Sequence, residues 1–230
     1  KMKQLISFIM LMKIKSVSMI FYRYDIGWPD KMKTLKWKEV KLIVFMNHTS
    51  LYEFLFLGFL PVHFLWRLSR KMVAPAADKT LNRPIVGFFF RLFMPGVVSI
   101  TRKRDDTWTK FLSKIHPDSI IVIAPEGRMK RKTGLDLEGN KMSVKSGITD
   151  LLAGLQHGEM VLAYSGGLHH VQVPGEGLPR LFKTLKMNLE TFDIAAYKEK
   201  FIGVVGSEDW KQQITDDLQH RLETKVPMGN

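Results

Sequence analysis

The chain contains no cysteine among its 230 residues. That excludes a disulfide framework, a thiolate nucleophile and any cysteine-ligated metal, and it fits a protein facing the cytoplasm. Acid is scarce relative to base: 22 Asp and Glu stand against 35 Lys and Arg, for a net charge of +13. Such an imbalance points to an anionic partner, whether nucleic acid, anionic lipid, an acidic carrier or a phosphorylated substrate. The phosphate loop of the Walker type and the dinucleotide glycine fingerprint are both missing, as are internal repeats and low-complexity tracts. No recognised nucleic-acid-binding motif accompanies the charge, and the amino terminus is apolar rather than a basic arm. Nucleic acid is therefore not the expected partner.

A clean run of some 20 apolar residues is also lacking. The nearest approach, residues 5–22, is interrupted by Lys13 and Lys15, which are costly at the centre of a bilayer. No small-residue cleavage site follows it. Its Met and Phe content and its basic flanks, Lys1, Lys3 and Arg23, predict a helix lying in an anionic membrane surface rather than spanning it. The competing reading is a core helix with snorkelling lysines. We divide the sequence into an interfacial helical segment, 1–30, and an α/β domain, 31–230.

What is present is organised around Asn47-His48-Thr49-Ser50-Leu51-Tyr52-Glu53. The preceding apolar run, Leu42 to Met46, is a short buried strand, and an apolar helical segment follows the polar cluster. His48 and Glu53 would lie on different faces of one regular helix. They meet only if His48 precedes the helix and Glu53 sits in its first turn. The carboxylate could then hold one imidazole nitrogen and leave the other as a base. The same Ser50…Glu53 spacing is a capping box, in which Glu53 only starts the helix. Both readings stand at this point.

Elsewhere, short strands alternate with helices. Residues 72–74, 97–101, 119–124 and 160–164 and the alternating Leu185, Met187 and Leu189 read as strands. Helices are expected from Phe54 to about Leu60, from Pro84 through Phe88-Phe89-Phe90, from Asp105 to about Ile115, from Ser143, and from Ser207 to about Glu223. The Phe88–Phe90 cluster is expected to be packed in the interior. The fold class is α/β, a central mixed sheet flanked by helices, preceded by the membrane-associating segment. Three strand ends carry polar residues, at His48, Arg102 and Glu126-Gly127, and strand ends are where open α/β sheets build their sites. Adjacent His169 and His170 would point to opposite faces of a strand and have no third ligand at metal spacing, so no metal site is predicted.

Taken in order, these blocks resemble the glycerophosphate and lysophospholipid acyltransferase family. Asn47-His48-Thr49-Ser50-Leu51-Tyr52-Glu53 is similar to its N-H-x-S-x-x-D block, Gly96 through Arg102 to its glycine, β-rich run and arginine, and Ala124-Pro125-Glu126-Gly127-Arg128-Met129 to its F-P-E-G-T-R block. Glu53 stands for the usual Asp, Arg128 for the Thr and Met129 for the Arg. Tyr164-Ser165-Gly166-Gly167 occupies the place of a fourth, Val-Pro block. The resemblance implies His48 as general base oriented by Glu53, and Arg102 on the phosphate of the acceptor. Glu126 and Gly127 would shape the acceptor pocket, while Arg128, Lys130 or Arg131 supplies the charge of the missing arginine. Asn47, Ser50 and Gly96 would be structural. It also implies acyl-coenzyme A or acyl carrier protein as co-substrate with no resident cofactor, a lysophospholipid such as lysophosphatidate as acceptor or alternatively glycerol 3-phosphate, and a place on the cytoplasmic face of a membrane.

Overall fold

A computed structural model describes residues 2–28, 35–101 and 105–228. The chain opens with α1 (Met2–Phe21), β1 (Arg23–Gly27), β2 (Val40–Met46) and a 3₁₀ helix, Leu51–Gly58. Next come α2 (Val62–Lys71), β3 (Met72–Ala77), α3 (Asp78–Leu81), α4 (Pro84–Phe93), β4 (Val97–Ile100), α5 (Asp106–Leu112) and β5 (Ile120–Ile123). The chain closes with α6 (Gly147–Gly154), β6 (Glu159–Ser165), β7 (Thr184–Asp193), α7 (Ile194–Lys198) and α8 (Glu208–Lys225). This is the expected α/β architecture of mixed strands flanked by helices. It divides into two compact units, Lys1–Ile20 with Leu55–Ile123, and Phe21–Phe54 with Ala124–Asn230.

In the first unit β3 pairs in parallel with β4 on one side and β5 on the other. Gly96 begins the β4 side of that pairing, and its carbonyl accepts from the Ala74 amide at 3.2 Å. A Cβ at Gly96 would lie 1.9 Å from the Met72 carbonyl oxygen, a backbone atom that cannot move without shifting the strand. Gly96→Ala is expected to destabilise the protein by about 3 kcal/mol, read as a melting temperature lower by roughly 6–12 °C.

Only Ser7, Leu11 and Ser18 of α1 are buried. Both hydroxyls donate inward, Ser7 Oγ to the Phe93 carbonyl at 2.9 Å and Ser18 Oγ to the Leu55 carbonyl at 2.6 Å. Lys15 also turns in, its Nζ donating to the Leu60 carbonyl at 2.9 Å. Meanwhile Met2, Leu5, Ile6, Ile9, Val17, Met19 and Ile20 are exposed. Most aliphatic side chains of α1 therefore face away from the protein, while Leu11 is buried within it. By length and composition alone α1 could cross a membrane.

In the second unit the strand order is β1-β7-β6-β2. β1 and β7 are parallel, β7 and β6 antiparallel, β6 and β2 parallel. β2 alternates strictly: Val40, Leu42, Val44 and Met46 are buried, and the residues between them half-buried. Parallel pairing sets Met46 beside Tyr164, so the segments leaving the carboxyl ends of β2 and β6 emerge side by side. That register places Asn47–Ser50 next to Ser165–Leu168. Helix α8 is fixed by a buried ionic cluster: Glu190 accepts from Tyr164 Oη at 2.6 Å and from Arg221 at 2.9 Å, and Arg221 reaches Asp217 at 2.8 Å.

Several elements depart from the sequence expectations. The segment expected as a helix from Phe54 to about Leu60 is a 3₁₀ helix, Leu51–Gly58, and Pro61 beyond it holds the N-cap position of α2 with extended backbone. The helix expected from Ser143 begins at Gly147. The Phe88–Phe90 cluster is not interior, because Phe88 is 60% and Phe89 47% exposed.

Candidate active site

The site is built where β2 stops. Asn47 adopts φ +62°, a left-handed conformation that Asn tolerates better than most residues. It turns the chain sharply, so that the amides of Asn47 and His48 point the same way. Both donate to one carboxylate, Asn47 N–H to Glu126 Oε1 and His48 N–H to Glu126 Oε2, each at 2.9 Å. The Asn47 side chain is held at both ends, its Nδ2 donating to the Ser165 carbonyl at 2.8 Å and its Oδ1 accepting from Lys130 Nζ at 2.9 Å. The Lys130 amide in turn donates to the His48 carbonyl at 2.7 Å. His48 is therefore anchored through backbone N–H, backbone C=O and both flanking side chains.

Glu53 resolves the two readings of its spacing by satisfying both. Its Oε2 meets His48 Nδ1, while its Oε1 accepts from the Thr49 amide at 2.6 Å and the Ser50 amide at 3.3 Å. A carboxylate has two oxygens, and here one serves the helix start and the other the imidazole. With Nδ1 donating to Glu53, Nε2 carries the lone pair, and it has no protein partner among the described residues. The His48 side chain is 23% exposed, enough for a ligand to reach that nitrogen.

Electrostatics suit a base. Burial alone would depress the His48 pKa, but the Glu53 charge and hydrogen bond, with the Glu126 charge behind them, outweigh it and raise the pKa above 6.5. Glu126 is 1% exposed. Burial pushes its carboxyl up from the ordinary 4.5, against the pull of the two amides, His48 and Lys130. A carboxylate so placed persists because both of its oxygens accept hydrogen bonds.

The remaining predicted residues take separate roles. Ser50 Oγ accepts from the Tyr52 amide at 3.2 Å and donates to Gln172 Oε1 at 3.0 Å, a helix start tied to the loop after β6. Gly127 has φ +67° in a turn closed by its amide on the Ala124 carbonyl at 3.1 Å. Arg128 is turned away: its guanidinium is clamped at 2.5 Å by both Asp136 and Glu138, so its charge is already neutralised. Asp136 is the hub of that loop, its carboxyl held down to about 2 first by the Asn140 amide and also by Arg128. Lys130 supports the Asn47 turn, as described. Arg131 donates to the Pro174 carbonyl at 3.3 Å, while its buried Nε has no partner among the described residues. Arg102 lies outside the described residues.

Sequence reasoning missed Thr49, which joins the two carboxyl-end loops. Its amide binds Glu53 and its Oγ1 accepts from the Leu168 amide at 2.8 Å. Only the position of Thr49 between His48 and Ser50 could have flagged it. His169 and His170 each bond a backbone carbonyl through Nε2, those of Lys130 at 2.9 Å and Thr184 at 2.8 Å. Among the described residues no group of three His, Asp or Glu side chains is arranged to hold a metal.

An imidazole oriented by a carboxylate, seated on a strand-end turn and open on its second nitrogen, is the equipment of general-base catalysis. Residues 30–161 match the family model described as Acyltransferase, more than half of the chain. The protein belongs to the acyltransferase family. No curated protein matches the sequence. Among solved structures, the chain is similar to the 1-acyl-sn-glycerophosphate (LPA) acyltransferase PlsC from Thermotoga maritima. The likeness covers 93% of this chain and 80% of that one, at 15% identity and a TM-score of 0.50. It is a likeness of fold.

Proposed function

We propose that the protein transfers a fatty acyl chain from an acyl thioester, acyl-coenzyme A or acyl carrier protein, to a hydroxyl of a lysophospholipid such as lysophosphatidate. The observation that carries this reading is the His48–Glu53 pair with Nε2 left open. In the reaction, His48 Nε2 takes the proton of the acceptor hydroxyl as its oxygen attacks the thioester carbonyl. The tetrahedral intermediate collapses, the carbon–sulfur bond breaks, and the leaving thiolate recovers the proton from the imidazolium. Glu53 holds Nδ1–H and offsets the imidazolium charge in between. No protein nucleophile is needed.

The acceptor's phosphate is assigned to Arg102, on the resemblance of its sequence block. Arg131 remains a cation of the loop after Glu126, with the guanidinium fork that suits phosphate; Arg128, spent on Asp136 and Glu138, is left out. The enzyme acts on the cytoplasmic face of a membrane, seated through α1. The outward face of α1, carrying the exposed Met2, Leu5, Ile6, Ile9, Val17, Met19 and Ile20, supports a lipid environment over an aqueous one.

The test is thioester release from long-chain acyl-coenzyme A and acyl carrier protein, with and without lysophosphatidate or glycerol 3-phosphate. Lysophosphatidate-dependent release identifies the reaction, and release only with glycerol 3-phosphate would replace the acceptor. Donor-only hydrolysis, indifferent to any acceptor, would sink the proposal.

The His48 pKa gives a pH dependence with a definite sign. His48 must be neutral to accept a proton, so activity should fall on the acid side through a pKa raised above 6.5. In Glu53→Gln the charge is gone, and that acid limb moves to lower pH. Either rotamer of the amide also sets an NH₂ against a donor, at Nδ1–H or at the Thr49 amide, so kcat drops by about 10²–10⁴. The pH profile of kcat/KM checks both. An unmoved limb would remove Glu53 from the pair.

A further inference from the structure

The helices α1, α2 and α4 all belong to the first unit, and none contains an acidic residue. Contacts within the unit link them. Ser7 of α1 bonds the Phe93 carbonyl of α4, and Phe8 of α1 packs edge-on against Trp66 of α2 at 4.9 Å between ring centroids. Helix α4 is nevertheless largely uncovered on one side. Ile85 is 73%, Phe88 60% and Phe89 47% exposed, the two rings lying 5.8 Å apart. Gly87 behind them is buried, a Cβ there falling 1.9 Å from the Leu81 carbonyl oxygen. Its backbone therefore seats the helix while the aromatic side faces out. Arg83 and Arg91 bracket the three apolar residues, and neither meets an acidic side chain among the described residues. An exposed aromatic cluster in water is unfavourable, and one bracketed by arginines complements an anionic, apolar medium.

We propose that α4 is a second lipid-contacting element: Ile85, Phe88 and Phe89 enter an anionic bilayer surface, with Arg83 and Arg91 at the headgroups. This rests on the membrane reading given for α1 and extends it. Attachment is then shared by two separate helices of one unit, and α4 holds on independently of the amino-terminal segment. Aromatic side chains at headgroup depth are well suited to that position.

Because the chain lacks cysteine, single reporters can be introduced cleanly. Ile9→Cys on α1, Phe88→Cys on α4 and Leu137→Cys in the other unit would each carry an environment-sensitive nitrobenzoxadiazole label. The full chain is then mixed with vesicles of phosphatidylcholine and phosphatidylglycerol. The expected result is a blue shift and a several-fold brighter signal at positions 9 and 88, with no change at 137. In flotation, the double substitution Phe88→Ser, Phe89→Ser should weaken partitioning roughly tenfold or more, since two aromatic side chains no longer leave water. Its circular dichroism spectrum should match the parent, because neither ring supports the interior. A shift at 9 without one at 88 overturns the proposal and leaves the α1 reading standing. No shift at either position means the membrane reading itself has failed. A shift at 88 that grows with protein concentration and needs no vesicles assigns the face to a second copy of the chain, which also overturns it.

Discussion

His48→Ala should lower kcat by a factor on the order of 10²–10⁴ while leaving the melting temperature within a few degrees of the parent. The expectation follows from what the imidazole touches. Its hydrogen bond within the protein goes to Glu53, and its other nitrogen is open. Removing the ring leaves Glu53 Oε2 without that partner, but Oε1 keeps the Thr49 and Ser50 amides. The backbone of residue 48 keeps its bonds to Glu126 and to the Lys130 amide. Little of the framework depends on the ring, whereas proton removal from the acceptor does. His48→Gln separates the two roles, because its amide can still donate to Glu53 and cannot act as a base. Activity should stay lost in that variant while any small loss of stability is recovered. Acceptor-dependent turnover surviving in both variants would mean that another group removes the proton.

Part of this arrangement was legible in the sequence alone. The strand Leu42–Met46, the breaking turn and the pairing of His48 with Glu53 all were, because apolar alternation and a five-residue spacing are local facts. The division of labour within Glu53 was not. Sequence spacing treats capping and base orientation as rivals, and only the separate directions of the two carboxylate oxygens show them to be compatible. Strand β1 was missed for a different reason. Arg23-Tyr24-Asp25-Ile26-Gly27 alternates over only five residues with two apolar side chains, and it becomes a strand by pairing with β7, some 160 residues away. Pro61 was read for the helix it ends and not for the one it starts. The charges after Glu126 were read as one cluster, yet the loop 131–141 folds back so that Asp136 and Glu138 claim Arg128. Lys130 meanwhile is drawn to Asn47. Chain reversal, which rests on Asp136 binding the amides of Glu138 and Asn140, decides which of three neighbouring cations remains available. For the Phe88–Phe90 cluster, hydrophobicity gave burial, and the side facing away from the unit gave the opposite.

Glu126 is the residue whose substitution should be most damaging to both stability and turnover. The resemblance placed it at the acceptor pocket, but its two oxygens are already taken by the Asn47 and His48 amides. That makes it a positioning residue: it acts on the chemistry by fixing the left-handed turn on which His48 stands. Glu126→Ala leaves two backbone donors with no acceptor in a site where Asn47 is buried. Each such donor costs about 1–3 kcal/mol, so a loss of roughly 2–6 kcal/mol is expected, seen as a lower denaturation midpoint. Glu126→Gln keeps one amide satisfied and sets its own NH₂ against the other. It should lie between the parent and Glu126→Ala in stability, and it should fold. In that folded variant the turn relaxes and His48 shifts, and a displacement of about 1 Å can reduce kcat some 10²-fold. KM for the acceptor should change little, because no acceptor contact is lost. The kinetic split is therefore the deciding measurement. A rise in acceptor KM with kcat and midpoint both preserved would return Glu126 to the pocket wall and leave the Asn47 turn to be held by Ser165 and Lys130 alone.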